Sequence, residues 1–72
     1  KIFPNPATNY ISVRSEEKLE NIVVYNLSGQ VIYQSVAGGY IIDINISNFD
    51  KGIYTIQTTI GDKLNVQRIA KL

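Results

Sequence analysis

Between residues 40 and 46 the chain alternates strictly. Tyr40, Ile42, Ile44 and Ile46 stand on one parity, with Ile41, Asp43 and Asn45 between them. Period two is the repeat of a β-strand, whose successive side chains point to opposite faces; a helix repeats every 3.6 residues. The pattern recurs along the chain. Ile11 and Val13 oppose Ser12 and Arg14, and Tyr54, Ile56 and Ile60, with Thr58 among them, oppose Ile53, Thr55, Gln57 and Thr59. Residues 21–25 are apolar at both parities, as in a central strand covered on both faces or covered on one by neighbouring side chains. No stretch carries a helical period. Six or seven short strands at turn spacings of roughly 8–12 residues predict an all-β fold, a small antiparallel β-sandwich.

The punctuation between these runs is specific. Pro4-Asn5-Pro6-Ala7-Thr8-Asn9 excludes a helix and predicts an extended segment breaking into a turn. Asn26-Leu27-Ser28-Gly29 suits a type I turn followed by a glycine bulge, which pairs Tyr25 with Val31, Val24 with Ile32 and Val23 with Tyr33. A two-residue Ser-Gly loop is the alternative, pairing Asn26 with Val31 and Val24 with Tyr33. Asp50-Lys51-Gly52 reads as a turn into the strand that begins at Ile53. Ile60-Gly61-Asp62-Lys63 reads as a type II′ hairpin, with Gly61 in the first central place. Gly29, Gly52 and Gly61 are expected at positive φ. In the last segment Leu64 and Val66 share a parity that Ile69 breaks, which predicts a bulge or the end of pairing near Gln67-Arg68.

The expected core is Ile11, Val13, Val24, Ile32, Ile42, Ile44, Ile46, Phe49, Tyr54 and Ile56, with Phe49 plugging one end and Leu19 tucked beneath the charged run 15–20. A chain of 72 residues holds one domain at most. A domain of that size buries only about 60% of its unfolded surface, so its stability is modest.

The composition excludes several function classes. Seven basic residues against six acidic ones leave a net charge of +1, too balanced for electrostatic capture of nucleic acid. There is no cysteine and no histidine, which removes the usual nucleophiles, bases and zinc ligands and any disulfide staple. The run Ser15-Glu16-Glu17-Lys18-Leu19-Glu20 lacks the glycine-pinned loop of a calcium site and reads as a solvated connection. Gly38-Gly39 and Gly61 precede no helix start and make no phosphate cradle. The carboxylates fall in loops or on outward strand positions, and no substrate cleft is expected in so short a chain. The sequence therefore predicts a non-catalytic module with no cofactor and no metal. No apolar run approaches the roughly 18 residues of a membrane span, so no membrane insertion is expected. Asn26-Leu27-Ser28 and Asn45-Ile46-Ser47 match the three-residue glycosylation pattern, a weak signal.

The order of motifs goes further. Phe3-Pro4-Asn5-Pro6-Ala7-Thr8-Asn9-Tyr10-Ile11-Ser12-Val13 comes first, then Val24-Tyr25-Asn26-Leu27-Ser28-Gly29-Gln30-Val31. Ile44-Asn45-Ile46-Ser47-Asn48-Phe49-Asp50-Lys51-Gly52-Ile53-Tyr54 follows, and Arg68-Ile69-Ala70-Lys71 closes the series. Each motif is short, but four in this order over essentially the whole chain resemble the type A C-terminal sorting domain of the type IX secretion system of Bacteroidota. The resemblance implies an Ig-like β-sandwich over residues 1–72, standing at the C-terminus of a larger cargo protein that lies upstream. It implies a secretion signal that carries the cargo through the outer-membrane translocon. A sortase-like cysteine protease then usually removes the domain, and the cargo is attached to surface lipopolysaccharide or released. The expected location is the periplasm in transit, then the cell surface or exterior. The family's Gly-x-Tyr motif falls on Gly52 and Tyr54, its turn glycine on Gly61 and its basic end on Arg68 and Lys71. These five are the residues expected to be recognised by the translocon or sortase. The terminus departs from the lysine-rich run of many members, since Arg68 and Lys71 are separated and Leu72 is last.

Two other functions fit the residues alone. A carbohydrate-binding or adhesive sandwich requires an exposed aromatic platform, for which Tyr10, Tyr33 and Tyr40 are the candidates. A purely structural domain requires no surface feature at all.

Overall fold

The computed structural model describes all 72 residues, and every regular element is a strand. β1 (Ile2–Phe3), β2 (Tyr10–Arg14) and β5 (Ile41–Asn45) form one antiparallel sheet in the order β1-β2-β5. β3 (Leu19–Tyr25), β4 (Val31–Val36), β6 (Gly52–Ile60) and β7 (Lys63–Lys71) form the other in the order β4-β3-β6-β7. The chain crosses between sheets after β2, β4 and β5. In immunoglobulin terms the sheets correspond to strands A-B-E and C′-C-F-G, so the topology is Ig-like.

Alternation places the core. The first sheet directs Ile11, Val13 and Ile44 inward, and the second directs Leu19, Ile22, Val24, Tyr54, Ile56 and Ile69 to meet them, with Ala7 and Ile46 closing the margins. All eleven are buried. Full burial of an Ile, Leu or Val side chain contributes roughly 1.5–3 kcal/mol each, and this layer is what opposes the chain entropy. Leu19 is fully buried beneath the charged connection, as expected. Ile22 and Ile69 join the core although the alternation did not single them out.

Both hairpin turns form as read. Gly29 has φ +87°, its N–H donates to Asn26 O, and Asn26 N–H donates to Gln30 O, the type I turn with a glycine bulge. At the β6–β7 turn Gly61 has φ +62° while Asp62 stays at negative φ, which is type II′ and not type I′.

Four expectations need correction. Tyr25 does pair with Val31, but the register then shifts, and Val24 pairs with Tyr33 instead of Ile32. The extra residue in β4 is Ile32; it lies in the bulge and is exposed, while Tyr33 takes the inward place and packs on the core. Ile42 and Phe49 are half-buried, packed against the core and not enclosed by it. Finally, no bulge interrupts β7. It pairs with β6 at every position from Lys63↔Ile60 to Lys71↔Gly52. The parity break has another cause: Leu64 and Val66 lie on the solvent face, and Asn65 and Gln67 take the inward parity of Ile69. The inward side there borders an open cleft between the sheets, so polar residues are tolerated on it.

Candidate functional site

Two structures involve the five residues singled out by sequence. The first is the corner that leads into β6. Gly52 has φ +149°, a backbone conformation that L side chains rarely adopt, and a Cβ there would meet nothing within 4 Å. Glycine is required by the backbone and not by crowding. Two residues on, Tyr54 turns inward and is only 6% exposed. Its hydroxyl donates to the backbone carbonyl of Asp50 at 2.6 Å. Its ring packs on Phe49 with centroids 5.2 Å apart and planes tilted by 45°. A tyrosine near the start of strand F that bonds back to the preceding connection is the tyrosine corner of Ig-like sandwiches. The Gly-x-Tyr motif thus builds the joint between β5 and β6. Burial, with a smaller contribution from the Asp50 carboxylate, pushes the Tyr54 phenol above its ordinary value of 10.0.

The second structure is the C-terminal hairpin, which forms an edge of the larger sheet. Gly61 sits at its exposed tip, where a Cβ would make only an ordinary contact with the Glu17 carboxylate. Arg68 is exposed on the outer face with Leu64 and Val66. Lys71 takes the inward parity, is half-buried, and its Nζ donates to Leu72 O at 3.2 Å. The two cations therefore point to opposite faces of β7. The five residues do not converge: Tyr54 is inside, Gly52 faces Lys71 across the β6–β7 ladder, and Gly61 lies at the far end of it.

Sequence reading missed the residue that joins the two ends of the chain. After β1 the Pro4–Pro6 segment leaves the first sheet and runs along the edge of β7, where Ala7 forms a parallel bridge with Lys71. Ala7 N–H donates to Ala70 O at 2.8 Å, and Leu72 N–H donates to Ala7 O at 2.9 Å. Asn5 extends this pairing with its side chain. Its Nδ2 donates to Arg68 O at 3.3 Å and its Oδ1 accepts from Ala70 N–H at 3.0 Å. One carboxamide has the donor and acceptor of a peptide group, so Asn5 imitates a neighbouring strand where the flanking prolines have no N–H to offer. The legible signal was an amide between two prolines in an extended segment.

The candidate aromatic platform is not assembled. Tyr33 packs on the core, and Tyr10 and Tyr40 lie at opposite ends of the β2–β5 ladder. No group of three or more carboxylates is placed to hold a metal ion.

Comparison with known proteins bears on the whole chain. A family model described as the secretion system C-terminal sorting domain matches residues 1–71. The chain belongs to that family. Members act as C-terminal sorting signals of the type IX system, a role that is in general non-catalytic. An ulvan lyase of Nonlabens ulvanivorans is 30% identical over 63 residues, which is 85% of this chain and 12% of the lyase. Among solved structures, PorZ of Porphyromonas gingivalis, an essential bacterial surface component of the type IX secretion system, superposes with a TM-score of 0.82 at 14% identity. That match covers 100% of this chain and 11% of PorZ. At that identity it shows a shared fold and nothing more. The chain spans only about a tenth of the length of both proteins.

Proposed function

We propose that residues 1–72 are one sorting domain at the end of a longer secreted protein, and that the type IX translocon reads the C-terminal hairpin. The observation that carries this reading is the contrast between the two parts of the signal. Gly52 and Tyr54 are spent on the corner that holds β6 in place, whereas Gly61 in the β6–β7 turn and Arg68 on β7 are displayed to solvent and Lys71 is partly so. In this division of labour Gly52 and Tyr54 act by positioning the β6–β7 ladder, and Gly61, Arg68 and Lys71 supply the shape and charge that are recognised. The cargo passes through the periplasm, crosses the outer membrane, and is then released from its tag by a sortase-like cysteine protease for surface attachment or export.

The test is a reporter with an ordinary signal peptide fused ahead of residues 1–72, in a bacterium with type IX machinery. Arg68→Ala combined with Lys71→Ala should cost no more than about 1 kcal/mol, because the solvated Arg68 charge contributes little to folding and the half-buried Lys71 gives up only part of the packing of its stem. Export should nevertheless fall sharply, with reporter accumulating in the periplasm. Normal export of the double variant would remove the basic end from the recognised surface.

A further inference from the structure

The edge of β7 is only half covered. In an antiparallel ladder, residues that exchange both hydrogen bonds alternate with residues that exchange none. Ala70 sends both its N–H and its C=O away from β6, to Asn5 and Ala7. Its pair with Ile53 is therefore a non-bonded one, and by alternation so are Arg68↔Thr55, Val66↔Gln57 and Leu64↔Thr59. The backbone N–H and C=O of Leu64 and Val66, and the N–H of Arg68, consequently face outward along the edge. Asn5 and Ala7 stop at Arg68, so these groups have no partner in the protein.

Beside this open half-edge the sandwich itself is open. A cleft of about 250 Å³ lies between the sheets, with Ile2 and Val13 on one wall and Leu19, Ile56 and Ile60 on the other. Thr58 of β6 and Asn65, Val66 and Gln67 of β7 line it too, and the charged residues at its margin are Lys1 and Arg14. The volume falls below the roughly 300–1,000 Å³ of small-molecule sites and is of the order of one or two side chains.

We propose that residues 63–67 of β7 are a strand-addition site. The occupant is an extended segment of another protein, carrying apolar side chains at alternate positions and no basic ones. Its backbone continues the pairing that Asn5 and Ala7 begin on the same edge. Its inward side chains enter the cleft, and its outward ones lie beside the exposed Leu64 and Val66. A second copy of this chain is a poor occupant, because its own β7 offers Lys63, Asn65 and Gln67 on the inward parity. That would bring a cation and two amides to a cleft that already holds Asn65 and Gln67 and is bordered by Lys1 and Arg14. The site rests on the sorting reading above and narrows the recognised surface to the open half of the edge.

Val66→Pro tests it. The substitution deletes an outward N–H and puts a ring on the edge, without removing any β6–β7 hydrogen bond. In the fusion described above, the variant should melt within a few degrees of its parent and lose export by at least about ten-fold. Export equal to the parent would overturn strand addition. So would a fall from dimer to monomer in the purified variant, which would assign the edge to self-pairing. Should Val66→Pro fail to fold, Val66→Lys keeps every backbone group, sets a cation on the edge, and should show the same loss; its normal export would overturn the proposal. Failure of the unsubstituted fusion to leave the cell is a different result, since it refutes the sorting function itself.

Discussion

Tyr54→Phe isolates the hydroxyl of the tyrosine corner. The change keeps the ring, its contact with Phe49 and its place in the core, and removes the 2.6 Å bond to Asp50 O. A net intramolecular hydrogen bond is worth about 0.5–1.5 kcal/mol, and a carbonyl left buried and unpaired costs more. Asp50 is an exposed residue, so water can reach its carbonyl in the variant, and the expected loss is about 1–1.5 kcal/mol. For 72 residues the total stability is roughly 4–11 kcal/mol, so the loss is a substantial fraction. At 4–8 °C per kcal/mol for a domain of this size, the midpoint should drop by roughly 4–12 °C. The corner also has a signature at high pH. The folded phenol titrates above 10.0, its ordinary value, so between those two values the unfolded state has lost a proton that the folded state keeps. Stability from this group is intact below pH 10 and declines as pH rises beyond it. Other groups titrate there as well, so the readout is the difference between parent and variant. Thermal unfolding followed by circular dichroism, from neutral pH to about pH 12, should show a shallower alkaline decline in Tyr54→Phe. An unchanged midpoint together with an unchanged alkaline slope would refute the corner as an energetic element. A variant that folds like its parent but is not exported would mean that the hydroxyl is read directly.

Two further substitutions probe the joints. Asn5→Ala removes both carboxamide bonds to β7 while leaving those of Ala7; we expect a loss of about 1–2 kcal/mol and faster hydrogen exchange at the Ala70 amide, and unchanged exchange there would refute the clamp. Phe49→Ala should cost about 2 kcal/mol in denaturant unfolding, below the 3–5 kcal/mol of an enclosed phenylalanine, because the ring is only half-buried.

Much of this architecture was legible because a strand writes its faces into the sequence at period two. Ile11 and Val13, Ile44 and Ile46, and Tyr54 and Ile56 are buried as their parity required. The Gly61 turn was legible for a similar reason, since a type II′ turn demands positive φ at one place and glycine stood there. Local pattern could not say which parity faces inward when both carry apolar side chains. Leu64 and Val66 share a parity that Ile69 breaks, and it is Ile69 that is buried and they that are exposed, because the register of β7 is set by its turn and by Ile69 meeting the core. Ile32 failed for the converse reason, since one extra residue in β4 moved the register without any glycine to announce it.

The candidate site divides along the same line. Sequence by itself determined a small all-β domain, the family, and the residues of its motifs, because strand period, turn stereochemistry and motif order are properties of neighbours along the chain. Only the tertiary structure decided what those motifs do. Tyr54 reaches a carbonyl four residues back because the connection from β5 to β6 passes from one sheet to the other beside it. Asn5 meets Arg68 and Ala70 from more than sixty positions away, and nothing local to either segment encodes that meeting. The open half of the β7 edge exists because the N-terminal segment pairs as far as Arg68 and then turns away, a consequence of where two distant strands end relative to each other.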